Sequence, residues 1–222
     1  MDRFVRRTTT DAVYEELHDD IVSLKVLPGT KLSETEVARR FGVSRQPVRN
    51  AFTKLGNQDL LLVRPQKATV VRGFSMDRIA LARLVRLAVE LEVTRAAVEV
   101  WTPEKQTQLE ENLQRQEDAI TSNNMPDFHA LDYEFHRLIC DLSGNPLAFD
   151  VVRDSKKKVD RLCVLSLTHD REAPLVLADH RAIAAGLEAE NLDATLKVVR
   201  KHLRRLDATI MSIHDAHPDY FE

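Results

Sequence analysis

The chain has 222 residues, of which 30% are charged and 5% aromatic, a composition with a helical lean that suits one large or two small domains. No apolar run approaches the roughly 20 residues needed to cross a bilayer, the N-terminus has no apolar signal core, and the two cysteines, Cys140 and Cys163, read as separate buried thiols of a cytoplasmic protein. The net charge of −3 hides an asymmetry: residues 31–72 carry nine Lys or Arg against three acids, or +6, whereas residues 74–222 carry 19 against 26, or −7, the footprint of a molecule with one end meeting a polyanion.

In chain order, Thr10 is placed to cap a first helix running to about Leu24, with Val13, Leu17, Ile21 and Leu24 on one face. Pro28-Gly29 forces a turn. Ser33-Glu34-Thr35-Glu36 reads as a capping box, with Leu32 and Val37 as its hydrophobic staple, opening a short helix that Gly42 ends. Ser44 caps a third helix whose buried stripe is Val48, Ala51, Phe52 and Leu55, and Pro47 falls in its first turn, where a missing amide is harmless. Two short helices joined by a tight glycine turn make a helix-turn-helix. Residues 60–63 and 68–71 are strand-like runs flanking a basic tip, hence a wing.

The first turn of the third helix presents Arg45, Gln46 and Arg49 opposite its apolar stripe. Pointed into a major groove, Arg can fork onto guanine and Gln onto adenine. The free amides around Ser44 can grip phosphate, and Lys67 at the wing tip is placed for phosphate or the minor groove. With Leu32-Ser33-Glu34 and Val43-Ser44-Arg45-Gln46-Pro47-Val48-Arg49 in these positions, residues 30–72 resemble the DNA-binding head of the GntR family. The resemblance implies that Arg45 and Arg49 contact double-stranded operator DNA. Asn50, Asp59 and Ala68 depart from the family's usual Glu, Gly and Gly, so Asp59 requires either an unusual backbone conformation or a different turn.

From Phe74 onward the periodicity is helical throughout, with six helices at about 75–100, 103–122, 126–143, 146–169, 172–189 and 191–215. The expected fold is therefore mainly α: a winged helix-turn-helix over residues 1–73 and an all-α helical bundle over residues 74–222. The first of the six has an apolar face (Ile79, Leu81, Leu84, Val85, Leu87, Ala88, Leu91) wide enough for a core and a dimer contact. Asp132 and His136 are four apart and share a helix face. His180 and His202 lie in later helices, and nothing in the spacing alone joins the four. A lone helical histidine is more often a surface or hydrogen-bonded core residue.

Asp132-Tyr133-Glu134-Phe135-His136 followed by Ser143-Gly144-Asn145-Pro146, with His180-Arg181-Ala182-Ile183 and Lys201-His202-Leu203 downstream, resembles the FCD effector domain of the FadR branch of GntR regulators. That resemblance implies a divalent metal ion (Zn, Ni or Mn) on Asp132, His136, His180 and His202 with coordination positions left open, a homodimer, and control of operator binding, usually repression, by a small carboxylate such as a hydroxy or sugar acid. It also implies Arg86 as a wall of the effector cavity, with Leu84 where a Glu is usual; Tyr133 and Arg161 are further effector candidates. A regulator whose metal is structural or itself the signal is the alternative. A metalloenzyme is disfavoured, because no separate general base is placed and Glu134 sits one residue off the ligand face.

Overall fold

The computed structural model describes residues 8–64, 67–165 and 172–222. They form two compact units, Met1–Met76 with Ala216–Glu222, and Asp77–Asp215. The expected boundary at 73/74 kept the C-terminus with the second domain. Instead the terminal residues join the first unit, where the Phe74 amide donates to the Tyr220 carbonyl, the Glu222 amide donates to the Phe74 carbonyl, and Glu222 pairs with Arg72.

The first unit opens with α1, Thr9–Val22. Its cap is Thr8 rather than Thr10: the Thr8 hydroxyl accepts from the Asp11 amide while the Asp11 carboxylate reaches back to the Thr8 amide. Three successive threonines made the start ambiguous, and only Thr8 has an acid three residues on. Strand β1, Lys31–Leu32, leads into α2, Glu34–Phe41, and then α3, Arg45–Asn57. Gly42 sits between these helices at φ 63°, the left-handed cap expected of it. Ser33 and Ser44 occupy the N-caps of α2 and α3, but neither hydroxyl makes a capping bond. The expected box is absent, and the chain enters α2 directly from the paired β1.

Strands β2, Leu61–Leu62, and β3, Thr69–Val71, form the wing, while β1, too short to be read from sequence, completes an antiparallel sheet of order β1-β3-β2. Leu32 pairs with Thr69, and Leu61 with Val71. Asp59 takes φ 59° just before β2, and its carboxylate accepts from Arg72 Nη1 at 2.7 Å. Asp59 thus takes the unusual conformation that the missing glycine requires. Residues 65–66 of the wing turn lie outside the described residues. Beneath the sheet, Val13, Leu17 and Ile21 of α1 pack on Val48, Ala51, Phe52 and Leu55 of α3 in one buried cluster, which fixes which face of α3 is left to solvent.

The second unit is helical: α4 Met76–Glu99, α5 Pro103–Thr121, α6 Met125–Leu142, α7 Ala148–Cys163, α8 Ala173–Glu188, α9 Leu192–Arg204 and α10 Asp207–Ala216. Starts follow the sequence signals. Thr102, Asn124 and Asn191 cap α5, α6 and α9 through their side-chain oxygens. The expected helix at 191–215 is two, α9 and α10, turning at Arg205-Leu206 without a Pro or Gly to announce it. The expected end of α7 at 169 falls among residues 166–171, outside the described set. Burial pushes the Cys140 and Cys163 thiols up to about 12, so both are inert.

One close approach positions the site. Gly186 of α8 faces Thr195 of α9, and a Cβ added there would lie 2.3 Å from Thr195 Oγ1. The missing side chain lets the two helices cross closely, about two turns from His180 on one and His202 on the other.

Candidate metal centre and nucleic-acid interface

On the first unit, Ser44, Arg45, Gln46 and Arg49 all lie on the exposed face of α3 and Lys67 is exposed between β2 and β3. Val48 beside them is fully buried, so the helix is anchored by one face and offers the other. Gln46 donates from its amide to Asn50 Oδ1 at 3.0 Å. Arg45 and Arg49 both pair with Glu34 of α2, a partner not anticipated from the sequence.

On the second unit, α6 sets Asp132 and His136 on one buried face, α8 supplies His180 and α9 His202. One candidate ligand atom from each lies within 4.8 Å of all the others. Asp132 Oδ1 is 3.5 Å from His180 Nε2 and 3.8 Å from His136 Nε2, and the Nε2 atoms of His136 and His202 are 3.4 Å apart. The Phe135 ring stacks on His180 at 3.9 Å between centroids and holds its plane.

The Nδ1 of His180 is hydrogen-bonded outside the cluster, that of His136 lies close to a carboxylate, and that of His202 has no hydrogen-bond partner. Glu90 Oε2 lies 2.6 Å from His136 Nδ1, Gln116 Oε1 lies 2.9 Å from His180 Nδ1, and Asp179 Oδ2 lies 3.8 Å from His202 Nδ1. The Gln116 amide nitrogen donates to Asn112 Oδ1 at 2.6 Å, so its oxygen must be the atom facing His180. A proton on Nδ1 leaves an Nε2 lone pair pointing inward, and buried His180 Nε2 has no hydrogen-bond partner. The facing Nε2 atoms of His136 and His202 at this separation can share a proton or flank a cation. Three imidazole nitrogens and one carboxylate, oriented by outer acceptors, are a donor set that fits a divalent transition metal.

The protonation states agree. Burial and the neighbouring His202 hold His180 well below its ordinary range, and burial lowers His202 despite Asp179. Burial works against ionisation of Asp132, but Lys156 beside it outweighs burial and helps keep the carboxyl far below its usual range. Neutral His180 and His202 beside an ionised Asp132 are what ligation requires.

Lys156, absent from the sequence reading, is buried here. Its Nζ lies 3.1 Å from Asp132 Oδ2 and 2.9 Å from Asp160 Oδ2. Arg86 donates from Nε to Glu90 Oε1 at 2.5 Å and from Nη2 to His136 Nε2 at 2.9 Å. A cavity of about 60 Å³ beside Asp132 and His202 is walled by Arg86, Lys156, Asp160 and Arg205, room for several waters or a small carboxylate. Of the three effector candidates, Arg86 lines this cavity. Tyr133 is not on its wall but donates to Asp160, which is; Arg161 is buried and not on its wall, with burial lowering its guanidinium to about 10. Glu134 is bonded to Arg115 at 3.1 Å and lies 3.5 Å from Arg137, not toward the cluster.

Comparison with known proteins agrees with this division. Residues 9–71 match the model of bacterial regulatory proteins, gntR family, and residues 83–205 match the FCD domain. The chain is 36% identical to the HTH-type transcriptional repressor RspR of Escherichia coli K12, over 94% of this chain and 92% of that protein. It is 32% identical to an HTH-type transcriptional regulator in an unstable DNA locus of Streptomyces ambofaciens, over 97% and 90%. The E. coli McbR/YncC structure shares the fold, with a TM-score of 0.69 at 20% identity over 92% of this chain and 98% of that one.

Proposed function

The chain belongs to the GntR family and carries an FCD domain, which makes it a DNA-binding transcriptional regulator rather than an enzyme, and from that premise we propose that it is a repressor whose operator affinity responds to a small carboxylate held at a divalent metal in its second domain. The first domain reads DNA with Arg45, Gln46 and Arg49 in the major groove, with Ser44 and Lys67 on phosphate. Asp132, His136, His180 and His202 hold the ion. The observation that carries the metal reading is the buried set of four ligand atoms within 4.8 Å of one another, with the Nδ1 atoms of His136 and His180 facing Glu90 and Gln116. An ion held there would supply Lewis acidity toward hard oxygen donors, and Arg86 stands in the cavity wall to meet a carboxylate. The relative RspR is a repressor, which supports the sign of the regulation. No helix among the described residues is long and apolar enough to cross a membrane, in keeping with action on DNA in the cytoplasm.

We assign the exposed stripe on α4, where Leu81 and Leu84 are 60% and 63% exposed, to contact with a second copy, since a homodimer sets two recognition helices on a near-palindromic operator. The deciding experiment is elemental analysis of the purified protein and of an Asp132→Ala, His136→Ala double variant, followed by an operator-shift screen of hydroxy and sugar acids. We expect about one divalent ion per chain, lost in the variant, and release of DNA by one class of acid. Full metal content in the variant overturns the ligand set. Metal without any acid effect favours the alternative, in which the ion is structural or is itself the signal.

A further inference from the structure

Glu34 is the first residue of α2, and its carboxylate binds both arginines on the exposed face of α3. Oε2 accepts from Arg45 Nη2 at 3.0 Å and from Arg49 Nη2 at 3.1 Å, while Oε1 accepts from Arg49 Nε at 3.3 Å. Arg49 is thus gripped by a fork and Arg45 by a single bond, across the turn of the helix-turn-helix. Both arginine side chains are more than half exposed, at 60% and 55%. Ion pairs so open to water add little to stability, and Glu34 lies outside the apolar cluster that holds the domain together.

We propose that Glu34 is the specificity-determining residue of the DNA-reading edge: it orients Arg45 and Arg49 toward base edges and offsets their attraction for phosphate. The inference rests on the reading of α3 as the helix that enters the groove. Its physical basis is twofold. A free arginine loses much rotamer freedom when it docks, and one already held by a carboxylate loses less. The bonds to Glu34 use Nε and Nη2, leaving Nη1 of each guanidinium to reach a base. Charge is the second part. Two arginines and a carboxylate present +1 to the duplex where two arginines alone would present +2. Sequence-independent affinity grows with the number of phosphates neutralised, whereas hydrogen bonding to guanine depends on direction. A carboxylate at this position therefore lowers binding to any duplex more than binding to the right one, which is how specificity is widened. Arg49 holds the Glu34 carboxyl below its usual range, against a contribution from burial that opposes it, so the charge is present at neutral pH.

The test uses the full chain, wild type and two variants, with a random-sequence duplex library and poly(dI·dC) as probes at two salt concentrations. Glu34→Gln keeps the shape and removes the charge. It should bind poly(dI·dC) about tenfold more tightly, with a salt dependence steeper by about one phosphate contact, and enrich the wild-type consensus about tenfold less. Glu34→Asp keeps the charge but shortens the reach. It should lose enrichment with no gain on poly(dI·dC), and it carries the test alone if Glu34→Gln does not fold. Enrichment of the same consensus to the same degree by both variants, with wild type enriching normally, overturns this inference and leaves the groove reading intact. Equal loss of both kinds of binding overturns it too. If the wild type enriches no consensus, the groove reading falls and this inference with it.

Discussion

A histidine that ligates through Nε2 must keep its proton on Nδ1, and it does so reliably only when something accepts that proton. At His180 the acceptor is Gln116 Oε1, oriented because the same amide donates to Asn112, whose own amide donates to the carbonyl of Leu131, next to Asp132. The chain of bonds thus runs from one candidate ligand to the neighbour of another. Replacing Gln116 by Leu keeps the bulk and removes the acceptor. We expect zinc or nickel affinity to fall about 10- to 100-fold by calorimetric titration with the helical circular dichroism unchanged; unaltered affinity would reduce Gln116 to a space-filler. These outer partners were not legible in the sequence. Glu90, Gln116 and Asp179 are ordinary polar residues of three different helices, and only packing turns them inward. Lys156 is hidden more thoroughly. It heads the run Lys156-Lys157-Lys158, which charge patterning assigns to solvent, yet Lys157 and Lys158 are exposed while Lys156 is buried against Asp132 and Asp160. The candidate ligands could be named only because the resemblance joined four residues that spacing left separate.

At the scale of elements, the site depends on how closely α8 and α9 cross. Gly186 has no room for a Cβ against Thr195, and neither the Thr195 backbone nor its side chain can withdraw freely, since Thr195 Oγ1 donates to the Asn191 carbonyl that starts α9. Gly186→Ala should therefore cost about 1–3 kcal/mol as overpacking, outweighing the better helix propensity of alanine. It should also push His202 away from His180 and lower metal affinity, a pairing of effects read by thermal melts and metal titration. A variant more stable than wild type with unchanged metal binding would show that the crossing relaxes without cost. Elements announced by local chemistry were the legible ones. The helix-turn-helix was marked by Gly42 and the α3 stripe, and the bundle starts by Thr102, Asn124 and Asn191. Strand β1 has two residues and exists only because β3 pairs with it. The turn between α9 and α10 carries no breaker, and Arg205 within it bonds Asp179 of α8, so tertiary bonding coincides with the turn where composition is silent.

At the scale of the whole molecule, each of the two units has its own main buried core among the described residues. One is built around Phe52, Leu17 and Leu55, the other around Leu109, Phe135, Ile183 and Leu187. The candidate ligands come from α6, α8 and α9, all in the second unit. A metal that binds only the folded second unit must stabilise that unit by mass action, about 4 kcal/mol at a thousand times its dissociation constant, and need not stabilise the first. Calorimetry should accordingly resolve a transition that rises with added zinc or nickel and another that does not move. Leu109→Ala should lower the metal-sensitive transition and Phe52→Leu the other, which assigns them. Chelation then separates the two roles left for the ion. A structural metal takes the second unit's transition with it when removed. A regulatory one leaves that unit folded at a lower melting temperature, and abolishes the response of operator binding to carboxylates. The direction of coupling follows from linkage: an acid that releases DNA must bind the DNA-free state more tightly, so saturating operator must weaken acid binding by the same factor. An acid that binds equally well with and without operator would exclude it as the effector, whatever its affinity for the metal.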